Sequence, residues 1–214
     1  MKPVHSAVVS IVFVLIALVA TIWLYPQLPA QTPVHWDMHD HVNGAMPRLW
    51  AAGVPLLIVL GLAALMIVLP KISPRRFGIA PFIRVWNIVM LALQGLMLAL
   101  GLCVLLAGAG HHLPISVIGM TVVGVVLMVL GNYMGKLRQN FFAGIRTPWT
   151  LASDAVWERT HRLAGWVFML AGVVTVVAAL AGAMSGWLLA VIVAVLLIPV
   201  VYSYFAYQRL EGQR

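Results

Sequence analysis

The stretch of sequence that decides the fold runs from residue 85 to residue 135 and reads VWNIVMLALQGLMLALGLCVLLAGAGHHLPISVIGMTVVGVVLMVLGNYMG. It holds 51 consecutive residues without a single charged side chain. Since a membrane-spanning helix needs about 20 apolar residues, this length accommodates two spans. The segment GAGHHLP at residues 108–114 interrupts the stretch, and clusters of Gly and Pro mark turns. The sequence therefore predicts two membrane helices joined by a short turn.

Three further uncharged stretches flank this one, at residues 3–36, 49–70 and 163–208. By length, the first two hold one span each, and the third, which is broken by GAMSG at residues 182–186, holds two. The first span is expected to be retained, because its apolar stretch is too long for the core of a signal peptide. We therefore predict an all-α, polytopic membrane protein with six transmembrane helices, at residues 6–25, 50–69, 85–107, 114–134, 163–183 and 186–206.

The composition of the whole chain excludes other classes of protein. Of its 214 residues, 63% are hydrophobic and 8% are charged, whereas soluble domains carry about 25% charged residues. The net charge of +8 would suggest nucleic acid in a soluble domain. Here we assign it to membrane-flanking loops, and predict no direct contact with nucleic acid. The single Cys103 excludes an intrachain disulfide and a cysteine-based zinc site.

The distribution of basic residues predicts the orientation. If the N-terminus is cytoplasmic, twelve of the 13 Lys and Arg residues fall inside and only Arg48 falls outside. Loops rich in Lys and Arg stay in the cytoplasm. We therefore expect a multi-pass protein of a bacterial inner or plasma membrane with both termini in the cytoplasm. It divides into a two-helix unit (1–70) with an outside loop (26–49) and a four-helix unit (71–214) with a cytoplasmic loop (135–162).

The cytoplasmic loop at residues 135–162, called the signature loop below, reads GKLRQNFFAGIRTPWTLASDAVWERTHR. It is preceded by GNYM at residues 131–134. Thr147 precedes a proline and should be extended. Ser153 can cap a following helix, with Asp154 at its positive end. From Asp154 onward the pattern is helical and continues into the fifth span.

This segment resembles the signature of the SdpI family, immunity proteins against a secreted sporulation-delaying toxin. The matching elements are residues 131–134 (GNYM), Asn140, residues 144–151 (GIRTPWTL), Trp157, residues 160–162 (THR) and Gly165. Gly135 departs from the pattern, which usually has Pro there.

The outside loop resembles the N-terminal domain of unknown function that is often joined to this signature. The shared pattern is Pro-x-His-Trp followed by a polar turn, here PVHWDMHDHVNG at residues 33–44. Asp37 and Asp40 stand where relatives more often carry Asn and Gly.

Candidate binding residues follow from these two segments. In the signature loop and just before it they are Asn132, Asn140, Gly144, Arg146, Thr147, Pro148, Trp149, Trp157, Thr160, His161 and Arg162. In the outside loop they are Pro33, His35, Trp36 and Asp37. The two indoles of the signature loop are either interfacial anchors or a wall of the binding site.

Arg146 has two interpretations that the sequence leaves open. Its five donors could bind a carboxylate or phosphate of a partner. Alternatively, it is an internal clamp to Asp154 or Glu158, or a contact to a lipid phosphate.

An acid–base set of His161, Asp154 and Glu158, with Arg146, would suit an enzyme acting on a lipid-linked substrate. No nucleophile motif, HExxH pair or phosphate loop accompanies it. We therefore predict no enzymatic activity, and expect helix-start electrostatics and a hydrogen bond between His161 and the loop.

The outside loop also concentrates His35, Asp37, His39, Asp40 and His41 within seven residues. Imidazole and carboxylate groups suit Zn or Cu, and histidines can sense external pH. The family pattern lacks His39 and His41, and a wet loop anchored by Trp36 is the simpler interpretation. We therefore predict no metal and no cofactor, with His35, Asp37, His39 and His41 as the weak candidates for metal ligands.

The resemblance implies a function in resistance to a secreted antimicrobial peptide. It further implies capture of a cytoplasmic transcriptional repressor at the membrane. The expected partners are membrane lipids, the peptide toxin and that repressor. We expect a two-sided receptor, in which a ligand at residues 26–49 or in the helix bundle changes the affinity of the signature loop for its cytoplasmic partner.

Overall fold

The computed structural model describes residues 3–74, 77–183 and 186–210 and shows six long helices. These are α1 (Pro3–Leu24), α2 (Arg48–Ile72), α3 (Ile83–Gly108), α4 (Ile115–Met134), α6 (Asp154–Leu180) and α7 (Gly186–Leu210), with a short α5 (Pro148–Ala152) before α6. Among the described residues, six helices are long and apolar enough to cross a membrane. The predicted all-α class with six spans is confirmed, and the chain is a multi-pass membrane protein.

The helix boundaries follow the local sequence signals. The predicted break at residues 108–114 lies between α3 and α4, and Gly110 there adopts a φ of 95°. Helix α6 begins at Asp154, well before the predicted start of the fifth span at residue 163. Its first turns are the amphipathic segment that was predicted to continue into that span. The signature loop therefore ends in a helix that enters the membrane without interruption.

The outside loop contains a β-hairpin that the sequence analysis did not predict. Strands β1 (Gln31–Trp36) and β2 (Val42–Pro47) pair antiparallel, with Thr32 opposite Met46 and Trp36 opposite Val42. Pro33 and Gly44, which are unusual inside strands, hid the pattern. The register is irregular at His35, where the pairing shifts.

The hairpin is supported by the helix bundle, since an isolated two-stranded hairpin is marginal in water. Thr32 is fully buried, and a Cβ added at Gly108 of α3 would lie 2.6 Å from its Cγ2. The Asp40 Oδ1 atom accepts a hydrogen bond from the Ser116 N–H, 2.7 Å away, at the start of α4. The hairpin is therefore fixed to the ends of both α3 and α4.

A buried glutamine joins the first three helices inside the membrane. The Gln94 side-chain amide on α3 donates to the carbonyls of Ser10 on α1, at 3.3 Å, and Val59 on α2, at 3.2 Å. The Trp86 indole donates to the Met66 carbonyl of α2, at 3.1 Å. Hydrogen bonds across membrane helices typically contribute about 0.6–2 kcal/mol each. These contacts tie α3 to α1 and α2.

Helices α4 and α6 approach each other more closely than side chains would allow. A Cβ at Gly131 of α4 would lie 2.8 Å from the Gly165 carbonyl oxygen, and one at Gly124 would lie 2.9 Å from the Gly172 oxygen. The two glycines on each helix are seven residues apart, which is close to two helical turns. Small residues permit such approach in membrane helices. This contact sets the position of α6, and with it the end of the signature loop.

Replacing Gly172 by Ala should destabilise the bundle by about 1–3 kcal/mol, because overpacked interfaces lose free energy of that size. The new Cβ would meet the Gly124 oxygen at 2.6 Å and the Met128 nitrogen at 2.8 Å. The matched control is Gly61→Ala on α2, where nothing lies within 4 Å of the added atom. Thermal unfolding in detergent should show a lower Tm for Gly172→Ala only. Equal Tm values for the two variants would contradict the close packing of α4 on α6.

Candidate functional site

Asn140 organises the first half of the signature loop from inside. Its side chain is fully buried. The amide nitrogen donates to the carbonyls of Arg138, at 2.8 Å, and Ala143, at 3.1 Å, while the amide oxygen accepts from the N–H groups of Phe142 and Ala143, both at 2.8 Å. One side chain thus supplies the hydrogen bonds that the backbone of this turn lacks. Asn140 is a structural residue of the loop.

Two threonines at the start of α5, one just before the helix and one in its first turn, fix the second half of the loop. The Thr147 hydroxyl accepts from the Thr150 N–H, and the Thr150 hydroxyl accepts from the Thr147 N–H, in a reciprocal cap. The Thr147 Oγ1 atom also lies 3.0 Å from Ser203 Oγ on α7. The Gln139 amide donates to the carbonyls of Thr150 and Leu151 at the end of α5. The loop is thereby attached both to itself and to α7.

Sequence reasoning missed Gln139, Thr150 and Ser203. The signal for Thr150 was present, since a Thr three residues after Thr147 resembles a capping box with Thr in place of the usual Glu or Gln. Gln139 and Ser203 had no local signal, because their partners lie on other segments of the chain.

His161 closes the loop onto α6. Its Nε2 atom accepts a hydrogen bond from the Ile145 N–H at 3.0 Å, so that nitrogen carries no proton. Its Nδ1 atom lies 2.8 Å from the Trp157 carbonyl oxygen and must donate to it. The hydrogen-bond network therefore assigns the neutral imidazole with its proton on Nδ1. The predicted hydrogen bond between His161 and the loop is present, with the backbone as donor.

The imidazole of His161 and the indole of Trp157 stack with their ring centroids 4.0 Å apart. The Trp157 Nε1 atom donates to the Leu137 carbonyl at 2.8 Å, and both side chains are buried. Trp157 is therefore a buried anchor of the loop, and its indole is not exposed on the protein surface. With both ring nitrogens engaged, His161 has no free nitrogen for acid–base chemistry.

Arg146 lies exposed on the loop surface, and one guanidinium nitrogen donates to the Phe141 carbonyl. The clamp to Asp154 or Glu158 is not formed: within the described part of the chain, no Lys or Arg side chain pairs with a carboxylate, and the one contact of this kind joins His41 Nδ1 to Asp37 Oδ2. Arg146 thus braces the loop through one backbone contact. Its remaining donors are left on the exposed face.

The candidate residues of the signature loop separate into two groups by burial. Asn132, Arg146, Pro148 and Arg162 are exposed, and Trp149 is half-buried with its ring 5.2 Å from that of Tyr204. The buried group comprises Asn140, Thr147, Trp157, Thr160 and His161. Thr160 Oγ1 has no hydrogen-bond partner among the described residues. The buried group builds the loop, and the exposed group is available to a partner.

A polar cleft of about 1070 Å³ lies beside the loop. It is bounded by the start of α3, residues 135–139 and the start of α6. Its charged lining residues are Arg84, Lys136, Arg138, Asp154 and Glu158. Asp154 and Glu158 thus face this cleft, away from the buried ring of His161.

The hairpin turn, residues 37–41, is organised by one carboxylate. Asp37 Oδ1 accepts from the N–H groups of His39, at 2.8 Å, and His41, at 3.0 Å, and Oδ2 lies 3.3 Å from His41 Nδ1. The backbone N–H groups of His41 and His39 hold the pKa of Asp37 below its ordinary value.

The other outside-loop candidates, all within the described residues, do not hydrogen-bond to this carboxylate. The His35 Nδ1 atom bonds to the Asn43 side-chain oxygen. Among the other candidates, Pro33 and Trp36 are half-buried in β1.

The fold and the loop geometry define the class: a multi-pass membrane protein with a self-bonded polar loop on one side and a supported hairpin on the other. Residues 136–203 match the model of the SdpI/YfhL protein family, and residues 12–59 match a domain of unknown function, DUF1648. The resemblance found in the sequence is confirmed: one segment is similar to the SdpI/YfhL family, and the other is similar to the N-terminal domain of unknown function. The division of the chain at residue 70 stays a prediction.

The chain is also similar to a curated relative along nearly its whole length. It is 27% identical to the immunity protein SdpI of Bacillus subtilis (strain 168), over 97% of this chain and 98% of the relative. No solved structure matches the chain.

Replacing Gly144 by Ala should open the signature loop. Gly144 has a φ of 102°, and an added Cβ would lie 3.1 Å from His161 Cδ2 and still closer to Nε2. The control is Gly110→Ala, which has a φ of 95° but nothing within 4 Å of its Cβ. Both variants carry the backbone strain, and only Gly144→Ala adds the collision with the ring. Hydrogen exchange at the Ile145 N–H should accelerate in Gly144→Ala alone, and unchanged exchange there would refute the contact with His161.

Proposed function

We propose that this protein is an immunity protein of a bacterial plasma membrane, which gives resistance to a secreted peptide toxin without catalysing a reaction. The observation that carries the proposal is the end-to-end similarity to an immunity protein, which covers 97% of this chain and both of its polar segments. A match of that extent includes the hairpin and the signature loop together. We therefore propose that the part of the chain with the hairpin and the part with the signature loop act together in one function.

The geometry of the signature loop favours binding over catalysis. The histidine that could act as acid or base uses both ring nitrogens within the loop, on Ile145 and Trp157. Of the candidate residues, those exposed on the surface are Asn132, Arg146, Pro148 and Arg162. A guanidinium is well suited to carboxylate or phosphate recognition. We propose that Arg146 is the main contact of the loop with a partner.

The distribution of basic side chains supports a cytoplasmic signature loop. Among the described residues, the helix ends and loop on that side carry Lys71, Arg84, Lys136, Arg138, Arg146, Arg159, Arg162 and Arg209, and the hairpin side carries Arg48. The positive-inside rule then puts the hairpin outside, where a secreted toxin arrives. Lipids contact the apolar outer faces of the helices.

The finer proposal is a two-sided receptor that captures a cytoplasmic repressor. A toxin at the hairpin can change the loop only if it binds one conformation of the bundle more tightly than another. A physical connection exists, because the hairpin is hydrogen-bonded to the start of α4 through Asp40 and Ser116, and α4 packs on α6. The captured repressor would contact the exposed, positively charged face of the signature loop.

Arg146→Ala should abolish protection when the chain is expressed in a toxin-sensitive strain, because the exposed guanidinium is lost. Arg146→Lys should protect partially, since it keeps the charge but not the planar fork. Lys71→Ala, which removes an exposed cation at the end of α2 and outside the signature loop, is the control and should protect fully. Survival is scored at equal membrane abundance. Full protection by Arg146→Ala would contradict the proposed contact.

His161→Ala does not distinguish binding from catalysis in this assay. The substitution removes the acceptor of the Ile145 N–H and the ring that stacks on Trp157. Loss of protection in that variant would follow from an open loop under either mechanism.

Cysteine labelling tests the orientation, because the natural Cys103 is buried within α3. Ala45→Cys, on the exposed part of β2, should react with a membrane-impermeant maleimide in intact cells. Glu158→Cys, on the exposed first turns of α6, should react only after permeabilisation. The reverse pattern would place the signature loop outside and end the receptor proposal.

A further inference from the structure

The geometry of the hairpin turn points to a site for a divalent transition-metal ion, with Asp37, His39 and His41 as its protein ligands; we propose Zn²⁺ as the ion bound. Each of the three residues offers one ligand atom, and these atoms all lie within 4.8 Å of one another. The site is separate from the signature loop. It does not depend on the immunity function proposed above.

Two of the three ligand atoms already have the spacing that zinc requires. Zn–N and Zn–O bonds are about 2.0–2.2 Å long, so neighbouring ligands of a tetrahedral site lie about 3.3–3.6 Å apart. The Asp37 Oδ2 atom lies 3.3 Å from His41 Nδ1. The ring of His39 faces that of His41 with a centroid separation of 6.1 Å and an angle of 28°. The His39 ligand atom already lies within 4.8 Å of the other two, so only a small movement of its side chain is needed to complete the three-ligand set.

The carboxylate is oriented by the backbone before any ion binds. Asp37 Oδ1 is held by the N–H groups of His39 and His41, which turns Oδ2 toward His41 Nδ1, the nitrogen with which it would share the ion. Hydrogen bonds to a ligating group fix its orientation and raise metal affinity. The two donors belong to the same residues whose rings supply the nitrogen ligands. One short turn therefore provides both the ligands and their support.

The turn itself is fixed to the helix bundle. Asp40 adopts a left-handed conformation with a φ of 61°, and its side chain accepts from the Ser116 N–H of α4 at 2.7 Å. This anchor holds the reversal of the chain between Asp37 and His41. The ligands consequently pay little ordering entropy on binding, as preorganised sites do.

The donor set selects the class of ion. Two imidazoles and one carboxylate suit Zn²⁺ with water in the fourth position, whereas Ca²⁺ and Mg²⁺ prefer oxygen ligands. Cu²⁺ and Ni²⁺ would also bind such a set. His35, the fourth candidate from the sequence, lies outside this cluster of ligand atoms, and its Nδ1 atom bonds to the Asn43 side chain. The site thus has three protein ligands, not four.

The test is titration of the full chain, purified in detergent without a histidine tag and stripped of metal, with Zn²⁺ in a calorimeter. We expect one Zn²⁺ per chain and competition by Ni²⁺ but not by Mg²⁺. His39→Ala should weaken binding by more than about tenfold, because losing a ligand costs at least as much as losing a supporting contact. The control is His5→Ala. His5 is an exposed histidine in the first turns of α1, whereas the hairpin follows the other end of that helix.

Asp37→Asn supplies the second test, since it keeps an oxygen acceptor for the two backbone N–H groups while removing the negative charge. It should also weaken zinc binding by more than about tenfold. Protection of the Ser116 N–H from hydrogen exchange reports whether the turn is intact in each variant. Absence of stoichiometric zinc in the wild-type chain, or equal affinity in His39→Ala, would overturn the site. Toxin survival is a separate readout, so failure of the immunity proposal leaves this result unaffected.

Discussion

The bare backbone contact between α4 and α6 is the constraint on which the rest of the structure depends. In a bilayer there is no hydrophobic force between helices, so association relies on close packing and on polar contacts. Gly124 and Gly131 on one helix meet Gly172 and Gly165 on the other, and at each contact a Cβ would fall within 3 Å of a backbone atom. Because α4 ends and α6 begins on the same side, this contact brings the two ends of the signature loop together.

The backbone of the signature loop is irregular, so many of its N–H and C=O groups lack partners within a helix or strand. Buried backbone groups need partners, and side chains of the loop itself and of α6 supply them here. Asn140 serves one turn, Thr147 and Thr150 serve the next, and His161 receives the N–H of Ile145. The exposed arginine lies on top of this closed structure. A rigid base of this kind is what a specific contact surface requires.

The hairpin is the counterpart of the loop on the opposite side. It is too small to be stable alone, and it relies on Gly108 of α3 and Ser116 of α4 for its position. Both helices also contribute to the core that lies beneath the signature loop, where Trp86 and Leu127 are buried. The two polar segments therefore share a support, which is the physical connection that the proposed coupling between them requires.

The number of spans, their approximate ends and the family resemblance were all readable from the chain, because long uncharged runs and a dense local motif are properties of consecutive residues. The start of α6 after Ser153 was predictable in the same way, although the predicted capping hydrogen bond to the Ser153 side chain is not formed. The cap at Thr147 also has a local signal, but the sequence analysis predicted only that Thr147 is extended. The hairpin was not predictable, since Pro33 and Gly44 break the strand pattern and the stabilising contacts come from α3 and α4. Likewise, no local pattern reveals that His161 meets Ile145, that Arg146 bonds to Phe141 and forms no ion pair with Asp154, or that glycines seven residues apart on two helices face each other. Those outcomes depend on which distant segments become neighbours, and neighbours of that kind exist only after the helices have packed.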